Sequence, residues 1–197
     1  VLGGYYECSM SATSMALGGG HACERLTDGK MKCWGSNGSG QLGDGTTTDR
    51  STPVVVLGIT NATIFALGEG HSCVLLTDGT MKCWGSNYYG QLGDGTTTDR
   101  STPVGVLGIT TARSIALGGT HSCALLTDGT MKCWGSNANG QLGDGTITDR
   151  TTSVVVSGIT TARSIALGYF HSIPLCTARP IQCRACTRHR TPDTGAQ

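Results

Sequence analysis

The sequence predicts an all-β fold: β-propeller blades of four antiparallel strands on a 50-residue repeat, in an incomplete ring of about three full blades plus partial ones. Three observations predict it. His21, His71, His121 and His171 recur every 50 residues without slippage, a period that fits a propeller blade. The units are near copies, since His71 to Thr110 differs from His121 to Thr160 at 8 of 40 positions. Glycine accounts for 31 of 197 residues and aromatics for 5%, which favours tight turns and close backbone approaches over long helices. A helical solenoid would need two strongly periodic helical stretches per unit, and none is visible.

Within the second unit, pattern and punctuation place strand one at about Ile64 to Gly68, strand two at Ser72 to Thr77, strand three at Thr80 to Ser86 and strand four at Pro103 to Leu107. Thr77-Asp78-Gly79 suits a hairpin loop with a left-handed glycine, and that register opposes Leu76 to Thr80, Leu75 to Met81 and Cys73 to Cys83. The connection Asn87 to Thr102 reads as an ordered loop leading to an outer strand. Pro53 and Pro103 sit at the start of strand four, where an edge tolerates the missing N–H. Cys73, Leu75, Met81 and Cys83 fall on one face, and Val74, Leu76 and Trp84 on the other. Bulk on both faces is expected of a sheet covered on each side by a like sheet. The chain divides into a partial repeat over 1–11, tandem repeats over 12–61, 62–111 and 112–161, and a partial fourth repeat with an aberrant Cys- and Arg-rich tail over 162–197.

A formal net charge of +1 with 14% charged residues points toward neither nucleic acid nor an anionic membrane. No apolar run approaches the about 18 residues of a membrane span. Val1-Leu2-Gly3-Gly4 lacks the regions of a signal peptide. Without an initiating Met, the chain is expected to be a mature or excised piece of something longer.

Ala-Leu-Gly-x-x-His-x-Cys, then Leu-Thr-Asp-Gly-x-Met-Lys-Cys-Trp-Gly-Ser-Asn, then Gly-Gln-Leu-Gly-Asp-Gly-Thr resemble the regulator of chromosome condensation repeat, over roughly Ala12 to Ile173. The resemblance implies a propeller of about seven blades. Members of that family include a guanine-nucleotide exchange factor, a plant light receptor and secreted bacterial proteins such as a β-lactamase inhibitor, and the cysteine-bearing variant looks most like the secreted group. The blades present here fall short of such a ring, which implies either a fragment or copies that associate to complete it. After His171 the pattern departs, with Ile173 where Cys is expected and Arg184 where Trp is expected.

Cys23/Cys33, Cys73/Cys83 and Cys123/Cys133 lie ten apart and opposed across one hairpin. Opposed positions are within disulfide reach, and a cross-strand disulfide per blade is expected; core thiols and a metal site with the preceding His are the alternatives. Cys8, Cys176, Cys183 and Cys186 have no repeat-defined partner, and Cys183-x-x-Cys186 is half of a zinc or redox motif without its second half. The repeated His is expected to bond a neighbouring backbone group at the mouth of strand two. Asp44, Asp94 and Asp144, with Asp49, Asp99 and Asp149, lack the further acids of a calcium loop and are assigned turn and cap duty. Asn37-Gly38-Ser39 and Asn61-Ala62-Thr63 satisfy the glycosylation sequon. Trp34, Trp84 and Trp134 should fill the space between blades. No nucleophile arrangement is present, so no catalytic residue, metal or cofactor is assigned.

Differences among the repeats cluster in two loops. Before each His the varying pairs are Gly19-Gly20, Glu69-Gly70, Gly119-Thr120 and Tyr169-Phe170; after each Ser-Asn they are Gly38-Ser39, Tyr88-Tyr89 and Ala138-Asn139. In an up-and-down blade these loops emerge on one side. Tyr88, Tyr89, Glu69, Thr120, Asn139, Tyr169 and Phe170 are therefore the candidate binding residues, for a protein or glycan partner; drift at solvated loop tips would leave the same pattern. A non-enzymatic binding module, extracellular or at the cell surface, is the expected function, with no nucleic acid partner and no membrane insertion. The alternatives are a self-associating structural array, a homo-oligomer completing the ring, and a cytoplasmic exchange-factor or ubiquitin-ligase propeller implied by the family alone.

Overall fold

The computed structural model describes residues 12–176. The first sheet holds β1 (Ala12–Leu17), β2 (His21–Leu26), β3 (Met31–Gly35) and β4 (Arg50–Val55); the second holds β5 (Ala62–Leu67), β6 (His71–Leu76), β7 (Met81–Gly85) and β8 (Arg100–Gly105). The third holds β9 (Ala112–Leu117), β10 (His121–Leu126), β11 (Met131–Gly135) and β12 (Arg150–Val155), and β13 (Ala162–Leu167) pairs with β14 (Ser172–Cys176). Each sheet is a simple antiparallel meander in chain order. Successive first strands β1, β5, β9 and β13 contact one another, whereas β4 is largely exposed. The sheets therefore pack as wedges, with strand one innermost, in an arc of a propeller that is not closed into a barrel.

The hairpins follow the expected register. Cys73 opposes Cys83 and Leu75 opposes Met81; Gly79 takes φ of 80°, and Leu76 N donates to Thr80 O at 2.9 Å. Asp78 Oδ1 caps the turn by accepting from Thr80 N at 2.9 Å and Thr80 Oγ1 at 2.6 Å. Strand four differs from expectation. It begins at Arg100, which opposes Gly85, and a register shift lies between that pair and Cys83 with Val104. Pro103 thus sits inside a bulge, where the ladder asks nothing of its nitrogen. The departure at Ile173 likewise does not end the sheet: β14 runs to Cys176 with Ile173 opposite Ala166, because main-chain hydrogen bonds, not the cysteine, make the strand. Cys8, Cys183 and Cys186, and the tail beyond Cys176, lie outside the described residues.

The core lies between sheets. Cys23, Met31 and Cys33 of the first sheet pack with Val74, Leu76 and Trp84 of the second, and Cys73, Leu75, Met81 and Cys83 pack in turn with Ala124, Leu126 and Trp134 of the third. Trp84 and Trp134 are fully buried, while Trp34 is half-buried, since no earlier sheet covers its face among the described residues. Inside each seam lies a disulfide: Cys23–Cys33, Cys73–Cys83 and Cys123–Cys133, each with Cα atoms 4.1 Å apart. Replacing Cys73 and Cys83 together by Ala should lower the unfolding free energy by about 2 to 3 kcal/mol, because the loop each bridge closes is short. Urea denaturation checks this, and an unchanged midpoint would mean that the bridge constrains nothing.

Candidate functional site

The β1–β2 and β3–β4 types of connection are joined main chain to main chain. Ser36 N donates to Gly20 O at 2.9 Å, Ser86 N to Gly70 O at 2.8 Å and Ser136 N to Thr120 O at 2.9 Å. The variable positions therefore share one side of the arc. The longer connection is organised by a buried asparagine. Asn87 Nδ2 donates to Asp94 Oδ1 at 3.2 Å, Thr96 O at 3.1 Å and Thr98 O at 3.0 Å; its Oδ1 accepts from Leu92 N at 3.0 Å; its main-chain N donates to Asp99 Oδ1 at 2.7 Å. Arg100 closes the loop on Asp94 through Nε at 2.9 Å and Nη2 at 2.8 Å. Burial opposes the Asp94 charge, but hydrogen bonds from Thr96, Arg100 and Asn87 outweigh it and hold the carboxyl below its usual range. The same cradle surrounds Asn37 and Asn137. A sequon at Asn37 is thus occupied by structure: its amide is spent inside the protein, whereas Asn61 is half-buried and donates only to Thr77 Oγ1, at 3.2 Å.

On this scaffold stand the aromatic tips. Tyr88 meets Tyr89 edge to face with ring centroids 4.8 Å apart, and Tyr169 meets Phe170 at 4.4 Å. All four rings are solvent-accessible, from 37% for Tyr89 to 75% for Tyr88. Tyr169 lies across Gly119, where an added Cβ would come within 2.9 Å of its ring. From there its hydroxyl donates to Glu69 Oε2. That bond raises the Tyr169 pKa, with partial burial and the nearby charges of Glu69 and Tyr89 adding to it. Glu69 and Tyr169, 100 residues apart, are thereby gathered together, with Phe170 packed on Tyr169; Tyr88 and Tyr89 stand on the adjoining connection, which Ser86 N ties to Gly70 O beside Glu69 at 2.8 Å. Thr120 is half-buried, Asn139 is exposed, and neither makes a side-chain hydrogen bond to the patch.

The repeated histidines lie elsewhere, in the seams. His21 Nε2 meets Ser72 Oγ of the next sheet at 2.8 Å, His71 meets Ser122 at 2.9 Å and His121 meets Ser172 at 2.9 Å. The expected main-chain partner is thus replaced by a hydroxyl one sheet away. Each serine hydroxyl in turn donates a hydrogen bond to a carbonyl, Ser72 to Gln41 O at 2.9 Å and Ser122 to Gln91 O at 2.8 Å. Trp84 Nε1 and Trp134 Nε1 donate to those same carbonyls at 2.9 Å. Glycine precedes this histidine because nothing else fits: a Cβ on Gly68 would lie 2.4 Å from His71 Cε1 and 2.8 Å from Gly118 O. Ser72, Gln41 and Asn87 were not singled out in the sequence, although they recur in register. Among the described residues, no group of three His, Cys, Asp or Glu is placed to hold a metal ion.

Two models of the regulator of chromosome condensation (RCC1) repeat match the chain, one over residues 28–75, 78–125 and 128–175, the other over 12–41, 63–91 and 112–141. The chain belongs to the RCC1 repeat family. Its fold is similar to that of Prp20p from Saccharomyces cerevisiae, described with its binding to Gsp1p and histones, at 22% identity and TM-score 0.69 over 75% of this chain and 39% of that one. Yeast RCC1 (Prp20) in the structure with Kap60 gives 22% and 0.74 over 85% and 42%, and human WBSCR16 gives 18% and 0.62 over 88% and 60%. The RCC1 repeats here thus span less than two thirds of each of these relatives. No curated protein matches the chain.

The seam histidines make stability pH-dependent. Burial lowers the pKa of His21 and His121 to about 4, the latter with a contribution from His171, and that of His71 to about 3, with contributions from His121 and His21. The unfolded chain, with histidine near about 6.5, binds these protons first. Stability is therefore complete above pH about 6.5 and falls as pH drops from there through the folded values. Urea midpoints should decline steadily between pH about 7 and about 4.5; a flat profile would contradict neutral, desolvated seam histidines.

Proposed function

We propose that this RCC1-repeat arc is a non-catalytic recognition module that binds a protein or glycan through the side carrying both variable loops. The observation behind this reading is the loop side itself, where Tyr169 with Phe170 reaches Glu69 and the exposed Tyr88–Tyr89 pair stands on the adjoining connection. Aromatic residues on loops held by a rigid scaffold are favoured at binding hot spots, and here the buried asparagine cradles supply the rigidity. Protein partners are named for the yeast relatives, which favours protein over glycan. Three disulfides favour an oxidising, extracellular or cell-surface compartment.

Replacing Tyr88 and Tyr89 together by Ala should weaken capture of the partner at least about 30-fold, the scale of a hot-spot loss of about 2 kcal/mol. Thermal melting should be unchanged, since both rings are solvent-accessible. Partner capture that survives the double substitution at full strength would sink the proposal.

A further inference from the structure

Among the described residues charge is shared unevenly between the two sides, which the chain's net charge of +1 conceals: the hairpin-turn side carries both signs, with Asp28, Asp78 and Asp128 beside its cations, whereas the loop side holds acids in excess. On the loop side, Arg50, Arg100 and Arg150 are each consumed by an ion pair with Asp44, Asp94 and Asp144 at 2.8 to 2.9 Å. Asp49, Asp99, Asp149 and Glu69 remain there, all exposed and none in an ion pair among the described residues. Among the described residues, the cations without such a partner belong to the opposite, hairpin-turn side. Lys82 reaches Gly58 O at 3.3 Å, Lys132 reaches Gly108 O at 3.0 Å, and Arg113 reaches Ala162 O at 2.6 Å.

The surplus carboxylates and the aromatic patch coincide. Asp99 accepts the main-chain N–H of Asn87, the residue before Tyr88, and Glu69 is bonded to Tyr169. We infer that the loop side docks a cationic segment of a protein partner, one bearing arginine or lysine side chains, with guanidinium or ammonium groups laid on the exposed rings and paired to Glu69 and Asp99. This rests on the recognition reading above and narrows it. A guanidinium gains twice at such a place, from the ring faces and from carboxylates that accept its fork of donors. A neutral glycan gains only stacking, and an anionic one is repelled by the unpaired acids. Unpaired acids also steer a cationic segment toward the patch over about a Debye length.

The probe is a fluorescein-labelled alternating Gly-Arg dodecapeptide, compared by anisotropy with the matching Gly-Gln and Gly-Glu peptides and with a neutral oligosaccharide. The Gly-Arg peptide should bind at least about tenfold more tightly than the others and weaken as salt rises from about 50 to about 300 mM. Glu69→Gln with Asp99→Asn should cost about five- to twentyfold, at up to about fivefold per surface charge pair, augmented by the rings. Asp99→Asn keeps an oxygen to accept the Asn87 N–H, and an unchanged melting temperature verifies that the loop is intact. Equal binding of Gly-Arg and Gly-Gln, or binding indifferent to the charge substitutions, overturns the cationic partner. Should the uncharged peptide or oligosaccharide be bound instead and lost with Tyr88→Ala/Tyr89→Ala, the recognition face stands and only its partner chemistry falls. Binding of any probe that ignores the tyrosine pair overturns both.

Discussion

The main-chain carbonyl of Gln41 holds the first two sheets in register. It receives the indole of Trp84 and the hydroxyl of Ser72 from the next sheet, both at 2.9 Å, and His21 binds that hydroxyl from its own side. A four-stranded sheet with bulk on both faces cannot bury either alone, so every unit depends on a neighbour for half its core. The tryptophan contributes the apolar area, and the carbonyl satisfies its N–H in a dry seam where an unpaired donor would cost about 1 to 3 kcal/mol. The whole junction recurs at Gln91 and its serine half at Gln141, so each seam of the arc is tied in the same way around its own core cluster.

That junction also explains the long connection. To place its Gln carbonyl over the next sheet, the loop must pass inward, and Leu42, Leu92 and Leu142 are fully buried by this path. A buried loop carries main-chain groups that need partners, and the Asn87 amide supplies them from a single side chain. With the loop so constrained, the two residues after Asn87 are free to vary. Rigidity at the base and tolerance at the tip are one arrangement, and the exposed aromatic residues occupy the tolerant part.

The repeat period, the hairpin register, the opposed cysteines and the division of each strand pair into two apolar faces were all legible in the sequence, because they follow from local alternation and from a turn that requires Gly79. Strand four was placed three residues late at Pro103, since a bulge hides proline from the ladder. Grouping of the varying loops on one side was legible from meander connectivity. Their contact was not. Nothing local indicates that Tyr169 reaches Glu69, 100 residues away, or that Gly119 leaves the room for it.

By itself the sequence determined the unit: its strands, its hairpin turn, and the cysteine pairs that face each other across it, all set by residues within one period. Only the tertiary structure decided what joins units. His71 bonds Ser122 and not a nearby carbonyl, and the arginines of the loop side are spent on Asp44, Asp94 and Asp144, leaving Asp49, Asp99, Asp149 and Glu69 on that side without an ion pair among the described residues. The physical reason is that a period of 50 residues brings each side chain against its counterpart's surroundings in the next sheet, and such contacts depend on how sheets stack, which no local pattern encodes.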